Sequence, residues 1–126
     1  MALMDTSAII DLGRGNKRVL EAAAKAEREG ERLLACTISV FELSAGSPPG
    51  IEEKRRRLLE PMGIVRLTQE HAEAAGKIYK NLRESGSGIG AFDALIAATA
   101  ICENEPLITA NKKHFGRVDG LALVFY

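Results

Sequence analysis

The sequence has little cysteine, no net charge, and no apolar run of membrane-spanning length. Its two cysteines, Cys36 and Cys102, lie in apolar surroundings without C-x-x-C spacing. A disulfide framework and a zinc site are therefore disfavoured, because both need paired or clustered thiols. Both cysteines read as small core residues of a cytosolic protein. The opening Met1-Ala2-Leu3-Met4 reaches an acid at Asp5, too early for the apolar region of a secretory leader, so the expected location is the cytoplasm. Also missing are internal repeats, low-complexity segments and any Pro/Gly/Ser-rich stretch long enough to join two domains. A single domain over residues 1–126 is expected, large enough to bury a core without covalent staples.

Lys+Arg and Asp+Glu both number 17, so bulk charge names no partner and only its distribution can inform. Basic residues gather in Lys54-Arg55-Arg56-Arg57, in Lys77, Lys80 and Arg83, and in Lys112, Lys113 and Arg117. The first of these runs reads more readily as a solvated helix face than as a phosphate site. Hydrophobic residues make up 46% and charged residues 27%, the composition of an ordinary globular protein.

Short apolar runs alternate with helical patterns. Strands are expected at Ala2–Met4, Leu33–Cys36, Ile64–Leu67, Leu107–Ile108 and Leu121–Val124. Cap-type residues Asp5, Thr6 and Ser7 start a first helix, and a second covers 16–29. Others are expected from Thr37 to about Ala45, over 51–60, and over 68–84, the last capped by Thr68 with Ala72, Ala75, Ile78, Tyr79 and Leu82 on one side. Ala94–Ile101 is apolar almost all round and should be central, and a short turn of helix occupies 111–115. This alternation implies an α/β fold around a mainly parallel sheet, whose sites form beyond the carboxyl ends of the strands.

That rule selects Asp5 after the first strand, Glu42 one helical turn beyond the second, and Asp93 at the start of the buried helix, with Thr109, Ala110 and Asn111 after the fourth strand. Each acid also has a purely structural reading. Asp5 can cap a helix, Ser39-x-x-Glu42 fits a capping box, and Asp93 suits the positive end of a helix dipole. Jointly those readings weaken, because three acids on one sheet edge repel one another unless something positive lies between them. Oxygen-only donors point to Mg²⁺ or Mn²⁺, a cation suited to activating water against a phosphodiester.

These segments resemble the PIN-domain family. Asp5-Thr6-Ser7-Ala8-Ile9-Ile10-Asp11 is similar to its opening motif, Ser39-Val40-Phe41-Glu42-Leu43 to its second, Phe92-Asp93-Ala94-Leu95-Ile96-Ala97-Ala98 to its third, and Thr109-Ala110-Asn111-Lys112-Lys113-His114-Phe115 to its last. The resemblance spans nearly the whole chain. It implies a three-layer α/β sandwich and a Mg²⁺- or Mn²⁺-dependent endoribonuclease, the VapC-like toxin of a type II toxin–antitoxin pair. An antitoxin partner, an RNA substrate and a homodimer are implied with it. Asp5, Glu42 and Asp93 match the family's metal-binding and catalytic acids; Thr6 and Thr109 match hydroxyl residues supporting the pocket.

One departure stands out. The fourth acid of the family falls at Asn111, or in some members near His114, and neither is a carboxylate here. Asn111 can still support the pocket or offer a neutral oxygen, but a second metal becomes doubtful. Lys112, Lys113 and Arg117 are candidates for holding RNA backbone. The competing reading is a catalytically weakened PIN-like RNA- or protein-binding module. A phosphate-accepting signalling domain fits less well, lacking an acidic pair right after the first strand and a clear lysine after the last.

Overall fold

The computed structural model describes residues 1–126. Its elements in chain order are β1 (Ala2–Met4), α1 (Thr6–Gly13), α2 (Lys17–Arg28), β2 (Leu33–Cys36), α3 (Thr37–Gly46), α4 (Glu52–Leu59), β3 (Gly63–Val65), α5 (Gln69–Glu84), α6 (Ala91–Cys102), β4 (Leu107–Thr109), α7 (Lys112–Phe115) and β5 (Leu123–Phe125). Five strands form one sheet in the order β3-β2-β1-β4-β5, and every pairing is parallel. Helices cover both faces, which a buried parallel sheet requires.

Strand alternation divides the core. Leu3, Leu34, Cys36 and Leu107 face one way and pack with α5, α6 and Phe115. Ala2, Met4, Leu33, Ala35 and Ile108 face the other way, against Ala8, Ile9, Val19, Ala23 and Leu43. The result is the expected three-layer sandwich. Helix α6 buries Ala94 and Ile96 through Ala100, and Thr99 satisfies its hydroxyl by donating to the Leu95 carbonyl at 2.8 Å. Its central position follows from a sequence with almost no polar face.

Three details differ from the sequence reading. β3 is Gly63–Val65 rather than 64–67, because the chain leaves the sheet after Val65 and the Leu67 N–H donates to the Thr37 hydroxyl at 3.1 Å. β5 is Leu123–Phe125, placed by its register against Leu107–Thr109, while Leu121 packs into the core without strand pairing. On α5 the inward stripe is His71, Ala75, Ile78 and Leu82, leaving Ala72 and Tyr79 exposed. His71 replaces the expected apolar residue because its ring is satisfied at both ends. Nδ1 accepts from the Thr68 N–H at 3.1 Å, closing a capping box, and Nε2 lies 2.8 Å from Glu103. Cys36 is buried, whereas Cys102 is only partly so, and both are free thiols.

A candidate acidic site at the switch point of the sheet

The chain runs from β1 outward to β2 and β3, then returns to place β4 and β5 on the other side of β1. Between β1 and β4 the direction of winding reverses, which opens a crevice at their carboxyl ends. Asp5 directly follows β1 and Thr109 closes β4, so this topology brings together two residues far apart in sequence.

Asp5 is only 3% exposed. Its Oδ1 accepts the Ala8 N–H at 2.7 Å, which makes it the N-cap of α1, and its Oδ2 accepts the Thr109 hydroxyl at 2.5 Å. The capping role and the site role therefore belong to one carboxylate. Burial pushes its pKa up; the Thr109 and Ala8 hydrogen bonds oppose that rise, and the nearby negative charges of Asp93 and Asp11 add to it. Asp11 itself accepts the Tyr126 hydroxyl at 2.7 Å and so stands apart from the pocket hydrogen bonds.

Glu42 does not take part in a capping box. β2 runs directly into α3, Cys36 is the N-cap, and Ser39 and Glu42 both lie inside the helix. The carboxylate is turned instead to Thr6, whose hydroxyl donates to Oε1 at 2.7 Å. Ser39, fully buried, sits 2.9 Å from the same hydroxyl. Thr6 thus links Glu42 to the segment that carries Asp5. The sequence pattern of a capping box hid the part Ser39 plays in this triad.

Asp93 occupies the first turn of α6, where the N-terminal dipole favours a carboxylate. Its Oδ2 lies 3.5 Å from His114 Nδ1. Asn111 caps α7 by accepting the His114 N–H through Oδ1 at 3.2 Å; its Nδ2 is 3.0 Å from His114 Nδ1, and its own N–H donates to Thr109 at 2.9 Å. The amide is therefore a brace between the end of β4 and α7.

No three of the His, Cys, Asp and Glu side chains stand close enough to share one ion as a closed shell. Each acid rests on its own partner: Asp5 on Thr109, Glu42 on Thr6, Asp93 toward His114. The donor chemistry nonetheless fits a hard divalent cation. The donors are all oxygens, one of them belongs to a carboxylate whose pKa is raised chiefly by burial, and such ions take a few protein oxygens and keep water for the rest.

Around the acids, Lys112 and Lys113 are exposed on α7. Arg117 differs, since its Nη1 donates to the carbonyls of Ser87 at 3.4 Å and Gly88 at 3.2 Å and braces the loop before α6. Along α4, Arg56 and Arg57 pair with Glu53 on a solvated face.

Asp5, beside Thr109 at the switch point of a parallel α/β sandwich, and Glu42, held by Thr6, present oxygen donors. The chain belongs to the PIN-domain family, whose model matches residues 2–121. It is 37% identical over 128 residues to Ribonuclease VapC1 of Methanocaldococcus jannaschii, covering 98% of this chain and 85% of that one. Ribonuclease VapC19 of Mycobacterium tuberculosis is 34% identical over 119 residues, covering 91% and 92%. Among solved structures, VapBC-1 of nontypeable Haemophilus influenzae is similar with a TM-score of 0.79 and 27% identity, covering 98% of this chain and 96% of that one.

Proposed function

We propose that this chain is a divalent-metal-dependent endoribonuclease and the toxin of a type II toxin–antitoxin pair, acting in the cytoplasm as a single domain over residues 1–126. The observation that carries the reading is the pocket itself. Burial, with a smaller contribution from the Asp93 charge, disfavours the Asp5 anion, and Thr6, the residue after Asp5, donates its hydroxyl to Glu42. Relatives at 34% and 37% identity bear the name ribonuclease, which supports RNA as the substrate.

Asp5, Glu42 and Asp93 would hold Mg²⁺ or Mn²⁺, with Thr6, Thr109 and Asn111 supporting them. When bound, such an ion polarises a water nucleophile and offsets charge developing on the phosphate. Thr109 and the α1 amide keep the Asp5 carboxylate in one orientation, and Thr6 does the same for Glu42. Lys112 and Lys113 attract the RNA backbone, with a lesser contribution from Arg117. Hydrolysis should leave 5′-phosphate and 3′-hydroxyl ends. The test is cleavage of RNA by freshly purified protein with Mn²⁺, lost on adding EDTA. RNA binding without cleavage would instead support the non-catalytic module, the reading that Asn111 at the fourth position favours.

The partner is an antitoxin that directs an Arg or Lys toward the acids, where a guanidinium or ammonium replaces the metal charge. A stable complex in which the acids stay open to solvent would contradict this. The homodimer rests on the outer side of α5, where Ala72 and Tyr79 are exposed with Leu67 just before it, and on the helix that carries Glu42, α3, where Phe41 is exposed. Light scattering that finds only monomer at micromolar concentration would remove it.

A further inference from the structure

The basic run at residues 54–57 divides in the folded chain. Arg56 and Arg57 pair with Glu53 in solvent, whereas Lys54 and Arg55 line a cavity between α1, α3 and α4. Arg14, the C-cap of α1, joins them there, and none of these three cations stands in an ion pair. The floor is apolar, formed by Ile10, Leu43, Ile51 and Leu58. The one acid in the lining is Glu42, which accepts the hydroxyl of Thr6, the residue after Asp5.

Packing explains the shape. A Cβ at Gly13 would stand 3.0 Å from a Leu58 methyl group, so α1 and α4 meet closely at that end. On α3, successive residues point about 100° apart, which places Glu42, Leu43 and Gly46 on one side of the helix. Phe41 falls outside that arc and does not line the cavity, so the space is separate from the surface assigned to the homodimer. At Gly46 the wall is bare backbone, and a Cβ built there would meet nothing within 4 Å. The volume is about 230 Å³. That is less than the ~300–1,000 Å³ of pockets for drug-sized ligands, and it suits one base-sized group.

We propose that this cavity is a subsite for the RNA substrate, taking the nucleotide that flanks the scissile phosphate, with its base on the apolar floor and its backbone phosphate at Arg14, Lys54 and Arg55. This rests on the ribonuclease reading. Three unpaired cations around an apolar slot match a nucleotide, which carries an apolar base face and an anionic phosphate on one unit. Glu42 belongs both to this lining and to the acids, so a strand seated here continues directly to the site of cleavage. An antitoxin segment is the other candidate occupant and fits less well. A side chain bringing positive charge to Glu42 from this side would have to pass three like charges.

The experiment follows the anisotropy of a fluorescein-labelled oligoribonucleotide in EDTA over a range of salt. The proteins are the parent, Arg55→Gln, the triple variant Arg14→Gln/Lys54→Gln/Arg55→Gln, Gly46→Leu, and Arg56→Gln as the control on the same helix. At low salt the triple variant should bind roughly 10- to 100-fold more weakly, with the slope of log affinity against log salt flatter by about 1–2. Gly46→Leu fills the slot and keeps every cation. It should weaken binding by about 5-fold or more with the slope unchanged, while melting no lower than the parent. With Mn²⁺, once products map the cleaved bond, removing the flanking nucleotide on one side should lower kcat/KM for the parent and much less for the triple variant. Parental binding by Gly46→Leu would overturn the proposal, as would a loss in Arg56→Gln equal to that in Arg55→Gln. If the parent shows this binding pattern and cleaves no RNA, the nuclease reading fails while the subsite stands. If it cleaves and neither the triple variant nor Gly46→Leu differs from it, the subsite fails while the nuclease reading stands.

Discussion

The Thr109 hydroxyl donates to Asp5 Oδ2 at 2.5 Å, joining the ends of β1 and β4 across the point where the sheet reverses its winding. It is a hydrogen bond to a buried carboxylate, and the same hydroxyl accepts the Asn111 N–H. Thr109→Val keeps the shape and removes both. The expected loss is about 1.5–3 kcal/mol, since the acceptor is charged and has no solvent to replace the donor. Thermal melting should show a drop of several degrees and calorimetry a weaker Mn²⁺ affinity, whereas Thr109→Ser should restore most of both.

Asp5 itself should oppose stability in metal-free protein. Its pKa is raised in the folded state, chiefly by burial. The folded protein therefore holds the proton more tightly than the unfolded chain, and stability falls as pH rises from the unfolded carboxylate pKa through the raised folded one. Asp5→Asn removes that loss while Oδ1 can still cap α1. In EDTA at neutral pH the variant should melt higher than the parent, and the gap should close as the pH is lowered below the unfolded value. Mn²⁺ should raise the melting temperature of the parent and leave the variant unmoved.

The strand-end rule made Asp5, Glu42 and Asp93 legible in the sequence because parallel strands put their carboxyl ends on one edge, whatever their exact length. The ends of β3 and β5 were not legible, being set by the Thr37 hydroxyl and by register against β4. Nor was the face of α5, where a buried His71 stands in the apolar stripe only because Thr68 and Glu103 satisfy its ring. At the site, Ser39-x-x-Glu42 looked like local capping. The long-range hydrogen bond from Thr6 that redirects Glu42 has no local signature.

Asn111 provides a graded test of the fourth position. Its Oδ1 caps α7, a role Asp performs equally well, so Asn111→Asp should fold normally. The added charge should raise Mn²⁺ affinity and cleavage rate. Calorimetric titration with Mn²⁺ checks the first and an RNA-cleavage assay the second; no change in either would put Asn111 outside the ligand shell.

Lys112 and Lys113 carry a prediction about salt. Replacing both with Ala should weaken RNA binding for all sequences alike and flatten the slope of log affinity against log salt by about 1–2, the number of phosphates they neutralise. A filter-binding series over salt concentrations measures it. An unchanged slope would make them a solvated face.

The most direct measurement is Mn²⁺ titration calorimetry, with RNA cleavage in parallel, on the parent, Asp93→Asn and Glu42→Gln. If Asp5, Glu42 and Asp93 share one ion, the parent should bind close to one Mn²⁺ and cleave RNA. Each variant should then lose both properties while melting at a temperature near the parent's in EDTA. Cleavage by Asp93→Asn at the parental rate, with Mn²⁺ binding intact, would reduce Asp93 to a helix-start residue and contradict the shared-metal site.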